Sequence, residues 1–190
     1  MTLPYFSRRQ WLASAAAGSL VHAWGAQAAT YPDKTVRIVV PFAAGAGTDA
    51  MGRLLAQKLG DLLGASVVVE NRTGASGAIG TQHVAQSPAD GHTLLLVAAP
   101  FTTVPAVLPN AGYDPVASFA PIGMVAQGPL MWACNKDLPF NTLAELLTYA
   151  QTRPGQLNYG SAGAGGINHL VLEQLKAKKG VSIVHIPYRG

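Results

Sequence analysis

The 190-residue sequence holds a single cysteine, Cys134. One thiol cannot close an internal disulfide, and no Cys-x-x-Cys or Cys/His spacing suited to zinc is present. Cys134 lies in the apolar stretch Leu130-Met131-Trp132-Ala133-Cys134 and reads as a small buried hydrophobe. Charge is equally scarce, at 12% of residues. The only close group of cations, Lys176, Lys178 and Lys179, falls where a helix end is complemented by positive charge. Without a basic stripe, a nucleic-acid partner is not expected. Paired carboxylates and metal-ligand clusters are missing. Ser161 stands in Tyr159-Gly160-Ser161-Ala162-Gly163, which is not a Gly-x-Ser-x-Gly nucleophile elbow. The sequence therefore points away from enzymes and to no metal and no cofactor. There is no solenoid-type repeat. No apolar run reaches the roughly 20 residues that a bilayer-spanning helix requires, so stable membrane insertion is not expected.

What is present is apolar and turn-rich. Hydrophobic residues make up 49%, and the Gly 21 and Pro 13 are spread between apolar runs, the pattern of a compact fold with many turns. Residues 1–29 carry Arg8 and Arg9 and no acid. Ser7-Arg8-Arg9-Gln10-Trp11-Leu12 reads as a twin-arginine n-region, residues 11–24 as a short apolar core, and Ala26-Gln27-Ala28 as a small-x-small cleavage motif. The expectation is a signal peptide cut near Ala28 or Ala29, export to the periplasm, and a nearly neutral mature chain of 11 basic and 9 acidic residues.

From Thr35 onward strands and helices alternate. Thr35 to Val40 is β-branched and bounded by prolines. Thr48 opens a helix to about Leu63 with Met51, Leu55, Leu59 and Leu62 on one face. Strands are expected at 66–70 and 93–97, with a helix over 78–86. After a Pro-rich region, 122–126 and 130–134 read as strands split by Gly128-Pro129, where the chain is expected to cross between domains. The pattern then resumes: helix 142–152, strand 157–160, helix to about Lys178, strand 181–186. His83 and His92 read as surface residues. Alternating elements of this kind predict parallel sheets covered by helices. The expected domains are 30–127 and 128–190, the second incomplete, because the last strand is followed by no helix.

Each half contains a strand, a glycine-rich loop and the start of a helix. Exposed N–H groups at a helix start, reinforced by the helix dipole, favour an anion, and glycine lets the backbone come close to it. Two such loops could grip a carboxylate from both sides. The alternative is an exported NAD(P)-binding oxidoreductase. Gly45-x-Gly47-x-x-Ala50 followed by Glu70 resembles a dinucleotide fingerprint. Against it, Pro41 to Ala44 separate the strand from the first glycine, and Asp49 places a negative charge in the first turn of the helix.

Tyr31-Pro32-x-Lys34-x-Val36-x-Ile38-Val39-x-Pro41-Phe42-x-Ala44-Gly45-x-Gly47-Thr48-Asp49 resembles the opening of the Bug family, the periplasmic solute receptors of tripartite tricarboxylate transporters. The likeness continues through Val69-Glu70-Asn71-Arg72-x-Gly74-Ala75-x-Gly77, Ala89-Asp90-Gly91-x-Thr93-Leu94 and Tyr113-Asp114-Pro115 with Phe119-Ala120-Pro121. It goes on through Asn158 to Gly163 and closes with His185-Ile186-Pro187-Tyr188-Arg189-Gly190.

The resemblance implies a type II periplasmic-binding-protein-like α/β fold of two domains with a hinge. It implies a small carboxylic-acid ligand, held by loop backbone amides and bridging waters, and the membrane subunits of a tripartite transporter as partners. By position, the ligand-binding residues would be Phe42, Ala44, Gly45, Ala46, Gly47, Thr48 and Asp49 in the first loop. In the second half they would be Ser161, Ala162, Gly165, Gly166, His169 and Tyr188, with Pro100 to Thr103 as further contributors. Ala46 replaces a usual glycine, Ala164-Gly165-Gly166-Ile167 a more polar stretch, and Ala98-Ala99-Pro100 a Ser/Thr-rich turn. These changes suggest an acid with an apolar body. Family members are also nearly as long again, which matches the expectation of a truncated second domain.

Overall fold

Parallel strands need long crossovers, and the apolar segments of this chain are spaced so that helices supply them. The computed structural model describes residues 30–188, so the expected signal peptide and its twin arginine lie outside the described residues. β1 (Val36–Val40) is central. It pairs in parallel with β2 (Val67–Asn71) on one side and β3 (Thr93–Leu95) on the other, in the order β2-β1-β3. Ile38 stands opposite Val69 and Leu94. A central parallel strand is buried on both faces, which is why four of its five residues are β-branched and apolar. Val36, Ile38, Val39 and Val40 are no more than 1% exposed.

The crossovers are α1 (Gly47–Leu63) and α2 (Ala78–Ala85). Helix α1 packs through small residues: Gly52 and Ala56 are its buried apolar positions, and an added Cβ at Gly52 would lie 3.0 Å from Val40 Cγ2. Leu55 and Leu59 flank this contact against Ile38, Val40 and Phe42. Leu62, expected on the buried face, is 81% exposed because the helix presents its glycine and alanine to the sheet.

A second sheet pairs β4 (Leu157–Ser161) with β5 (Ile183–Pro187), again in parallel, with Tyr159 opposite His185. Its helices are α4 (Leu143–Thr152) and α5 (Ile167–Lys179). Thr142 starts α4 with a reciprocal cap: its hydroxyl accepts from Glu145 N, and the Glu145 carboxylate accepts from Thr142 N, both at 3.2 Å. Ala150, Val181 and Ile183 form the core beneath, joined by Leu146, Leu147 and Leu157. From Lys34 onward the chain forms one compact unit.

Beyond Leu62, the structure corrects three expectations and adds a helix that the sequence did not announce. Residues 100–107, for which the sequence suggested only a Pro-rich region, form the helix α3 (Pro100–Val107) despite an internal Pro105. Pro105 has no N–H to give to Phe101 O, and the Tyr113 hydroxyl donates to that carbonyl at 3.0 Å in its place. Phe101, Tyr113 and Phe119 form an aromatic cluster, with ring centroids 5.2 to 6.1 Å apart, that fixes this helix. Residues 122–126 and 130–134 form no strand. A strand needs a neighbour to satisfy its backbone, and among the described residues none lies alongside. Ile122, Met124 and Met131 are more than four-fifths exposed. Cys134, expected to be buried, is exposed in the same segment. His92 is buried, not superficial, because the turn at Asp90 folds its ring inward, with Nδ1 3.1 Å from Asp90 O. Among the described residues no helix is long and apolar enough to cross a membrane.

Candidate functional site

The first loop runs from β1 into α1. Gly45 has φ 85°, a conformation open to glycine and strained for other residues. Ala46 follows at φ −67°, ψ 160°, so its methyl group is accommodated where the family resemblance leads one to expect glycine. Asp49, in the first turn of α1, is 2% exposed and anchors the loop. Its Oδ2 accepts from Gly45 N at 2.8 Å and Arg53 Nε at 3.0 Å, and its Oδ1 accepts from Asn71 Nδ2 at 2.9 Å. Asn71 also donates to Phe42 O at 3.1 Å, tying the loop to the end of β2. The Arg53 hydrogen bond, then those of Gly45 and Asn71, hold the Asp49 carboxyl down to about 2.

The second loop repeats this geometry between β4 and α5. Gly165 has φ 79°, and Gly166 precedes α5 at φ −69°, ψ 158°. Gly165 N donates to His169 Nδ1 at 3.2 Å, four residues on, as Gly45 N does to Asp49. The carbonyls of this loop are also engaged. Ser76 Oγ donates to Ala164 O at 2.5 Å and Thr103 Oγ1 to Gly165 O at 2.7 Å. Ser161, buried at the start of the loop, lies 2.6 Å from His185 Nε2 and accepts from Gly163 N at 3.2 Å.

Neither helix start has a side-chain cap, because Ala46 and Gly166 offer none. Among the described residues no side chain accepts from the first-turn N–H groups of either helix. Both helix starts border one open cleft of about 920 Å³. Phe42, Ala46, Gly47 and Thr48 line it from the first loop, and Ala162 and Gly166 from the second. Its remaining walls are largely apolar, with Met51, Leu95, Leu96, Val97 and Met124 among them. Tyr188, with Phe42 and Ala162, borders an adjoining cavity of about 290 Å³.

The other sequence-derived site residues lie off both cavities. Ala44 and Gly45 are exposed beside the cleft, while Asp49, Ser161, Gly165 and His169 are buried or half-buried, and the Gly45–Asp49 and Gly165–His169 hydrogen bonds shape the loops. Sequence reasoning did not single out Asn71, Ser76 or His185. Asn71 and His185 fall within the quoted motifs, but nothing local in the sequence says whom they meet. Among the described residues no group of His, Cys, Asp or Glu could hold a metal ion.

The dinucleotide alternative meets two obstacles. Glu70, which would have to receive a ribose, pairs with Arg72 at 2.6 Å. The first glycine's N–H, which would face a pyrophosphate, is taken by Asp49.

The family described as tripartite tricarboxylate transporter family receptor, TctC, matches residues 51–190. Protein BugT of Bordetella pertussis is 39% identical over 163 residues, covering 85% of this chain and 50% of BugT. Among solved structures, Rpa4515 of R. palustris with adipate superposes with a TM-score of 0.80 at 38% identity, over 84% of this chain and 54% of that one. The periplasmic binding protein BugD gives a TM-score of 0.72 at 38% identity, over 84% and 54% respectively. The chain thus spans about half the length of the relatives it matches. Its α/β fold is that of TctC-type periplasmic binding proteins, a receptor class and not an enzyme class. The chain belongs to the TctC family of tripartite tricarboxylate transporter receptors.

Proposed function

We propose that this protein captures a small carboxylic acid with an apolar body, using backbone N–H groups of its two glycine-rich loops. The observation that carries this reading is the convergence of two uncapped helix N-termini, α1 and α5, on one cleft. Each end offers unpaired donors and a positive dipole end to an anion. The apolar walls between them favour a methylene chain over a hydroxyl-rich acid. Adipate in the Rpa4515 structure supports this class of ligand. In this reading Phe42, Ala46 to Thr48, Ala162 and Gly166 meet the ligand, and Tyr188 closes one side. Asp49, Ser161, Gly165 and His169 hold the loops in place.

Residues 1–29 direct export to the periplasm, with cleavage near Ala28 or Ala29. There the receptor delivers its acid to the membrane subunits of a tripartite transporter. The two lobes divide near residues 127 and 128. Replacing Arg8 and Arg9 together with lysine retains the precursor in the cytoplasm if the twin-arginine route is used.

Isothermal titration calorimetry of the protein with adipate, citrate and NAD⁺ tests the binding reading. Adipate is expected to bind in the micromolar range or tighter, about tenfold better than citrate, a difference of about 1.4 kcal/mol. Heat with NAD⁺ and none with either acid would overturn it.

A further inference from the structure

The two loops share one backbone conformation but are latched by chemically different acceptors. In the first, the acceptor for Gly45 N is a carboxylate held ionised down to about 2. In the second, the acceptor for Gly165 N is the imidazole Nδ1 of His169. An imidazole nitrogen accepts only while it carries no proton, so this contact places the proton of the neutral ring on Nε2. Protonation of Nδ1 turns the acceptor into a donor facing another donor.

The surroundings of His169 make that step consequential for the loop. Its ring meets that of His185, centroids 4.2 Å apart and planes 31° to one another. His185 holds the opposite end of the loop through Ser161 Oγ at 2.6 Å, and stacks on Tyr159 at 4.8 Å. Burial, and then the neighbouring His169, push the His185 imidazole below its ordinary range. On α5, Glu173 is already engaged by Lys176 Nζ and by Tyr159 OH, each at 2.7 Å. Lys176 adds positive charge to the same group. The His169 ring thus meets His185 from the sheet and the charge of Glu173 from the helix, while Tyr159 and Lys176 engage Glu173.

We propose that His169 is a positioning residue whose protonation releases the second loop and weakens ligand capture, while the first loop keeps its grip. The proposal rests on the reading that the two loops jointly hold the ligand. Affinity is then high while Nδ1 carries no proton and accepts from Gly165 N, and falls once it is protonated. Loss of one positioning hydrogen bond corresponds to about a fivefold weaker affinity.

The latch is tested without any ligand by following the Gly165 amide and the His169 ring nitrogens by NMR across about pH 5 to 8. The Gly165 amide is expected to shift when Nδ1 of His169 gains a proton, the Gly45 amide to stay still, and His169→Asn to abolish the Gly165 response. Asparagine at this position reaches the same amide as Asp49 does in the matching first loop, and it does not titrate. A Gly165 amide indifferent to pH overturns the proposal, whatever adipate does.

Calorimetry with adipate on the protein and on His169→Asn tests the coupling to capture. Protonation of adipate itself is common to both proteins and cancels in the comparison. The expected result is about a fivefold loss for the natural protein that the variant lacks. Equal profiles overturn the coupling. A pH-responsive amide in a protein that binds no adipate sinks the ligand reading and leaves the latch standing.

Discussion

The hydroxyl of Ser76 donates to the carbonyl of Ala164 at 2.5 Å, joining the turn after β2 to the loop after β4 across 88 residues of chain. To reach it, Ala75 and Ser76 both adopt left-handed backbone, φ 47° and 55°, at a cost of about 1–2 kcal/mol per residue. Thr103 adds a second link from α3, to Gly165 O at 2.7 Å. Two side chains from the first set of elements thus fix consecutive carbonyls of the second loop.

The double substitution Ser76→Ala with Thr103→Val should loosen the second loop and leave both sheets intact. Each lost hydrogen bond is worth about 1 kcal/mol, so with both removed adipate affinity should fall up to about thirtyfold. Hydrogen exchange should accelerate at residues 162–166 and remain unchanged in β1. Unaltered exchange in the loop would show that these contacts do not order it.

Gly45→Ala and Gly165→Ala should differ, although both glycines have φ near 80°. At Gly45 a Cβ would meet open space, so the cost is backbone strain alone, about 1–2 kcal/mol. At Gly165 the same methyl would also overlap Val107 Cγ2, adding about 1 kcal/mol or more. Urea denaturation of the two variants should therefore rank Gly165→Ala as the less stable.

Asp49 governs part of the acid limb of stability. Its folded carboxyl titrates at about 2 against an ordinary 3.8, so its contribution is full above about pH 4 and is lost as pH falls towards 2. Asp49→Asn should lower the melting temperature at neutral pH and flatten its decline between about pH 4 and about pH 2. An unchanged acid limb in a pH series of thermal melts would remove Asp49 from this role.

Ile38 stands between Val69 and Leu94 in the middle of the parallel sheet and is 1% exposed. Ile38→Ala should cost about 2–5 kcal/mol, through lost burial and a cavity that the rigid central strand cannot close. The measurement is the urea midpoint at unchanged slope.

β1, α1, β2 and β4 were legible because their signals are local. A β-branched run between prolines, a 3.6-residue apolar period ending at Gly64, and a glycine loop before each helix each act within a few residues. α3 was not legible, since Pro105 forbids the local hydrogen bond and only Tyr113, eight residues further on, replaces the missing donor. The segment 122–134 misled in the opposite sense. Its residues suit a strand, but a strand exists only where a partner lies beside it.

Two glycine loops of one conformation, each opening an uncapped helix, were already written in the sequence. Positive φ at glycine and the lack of a capping side chain at Ala46 and Gly166 are properties of residue type. That the loops face one cleft, and that Ser76, Thr103, Asn71 and His185 hold them there, was decided by tertiary structure. Those hydrogen bonds join residues 24 to 88 positions apart, and contacts at such separations leave no periodic mark on the chain.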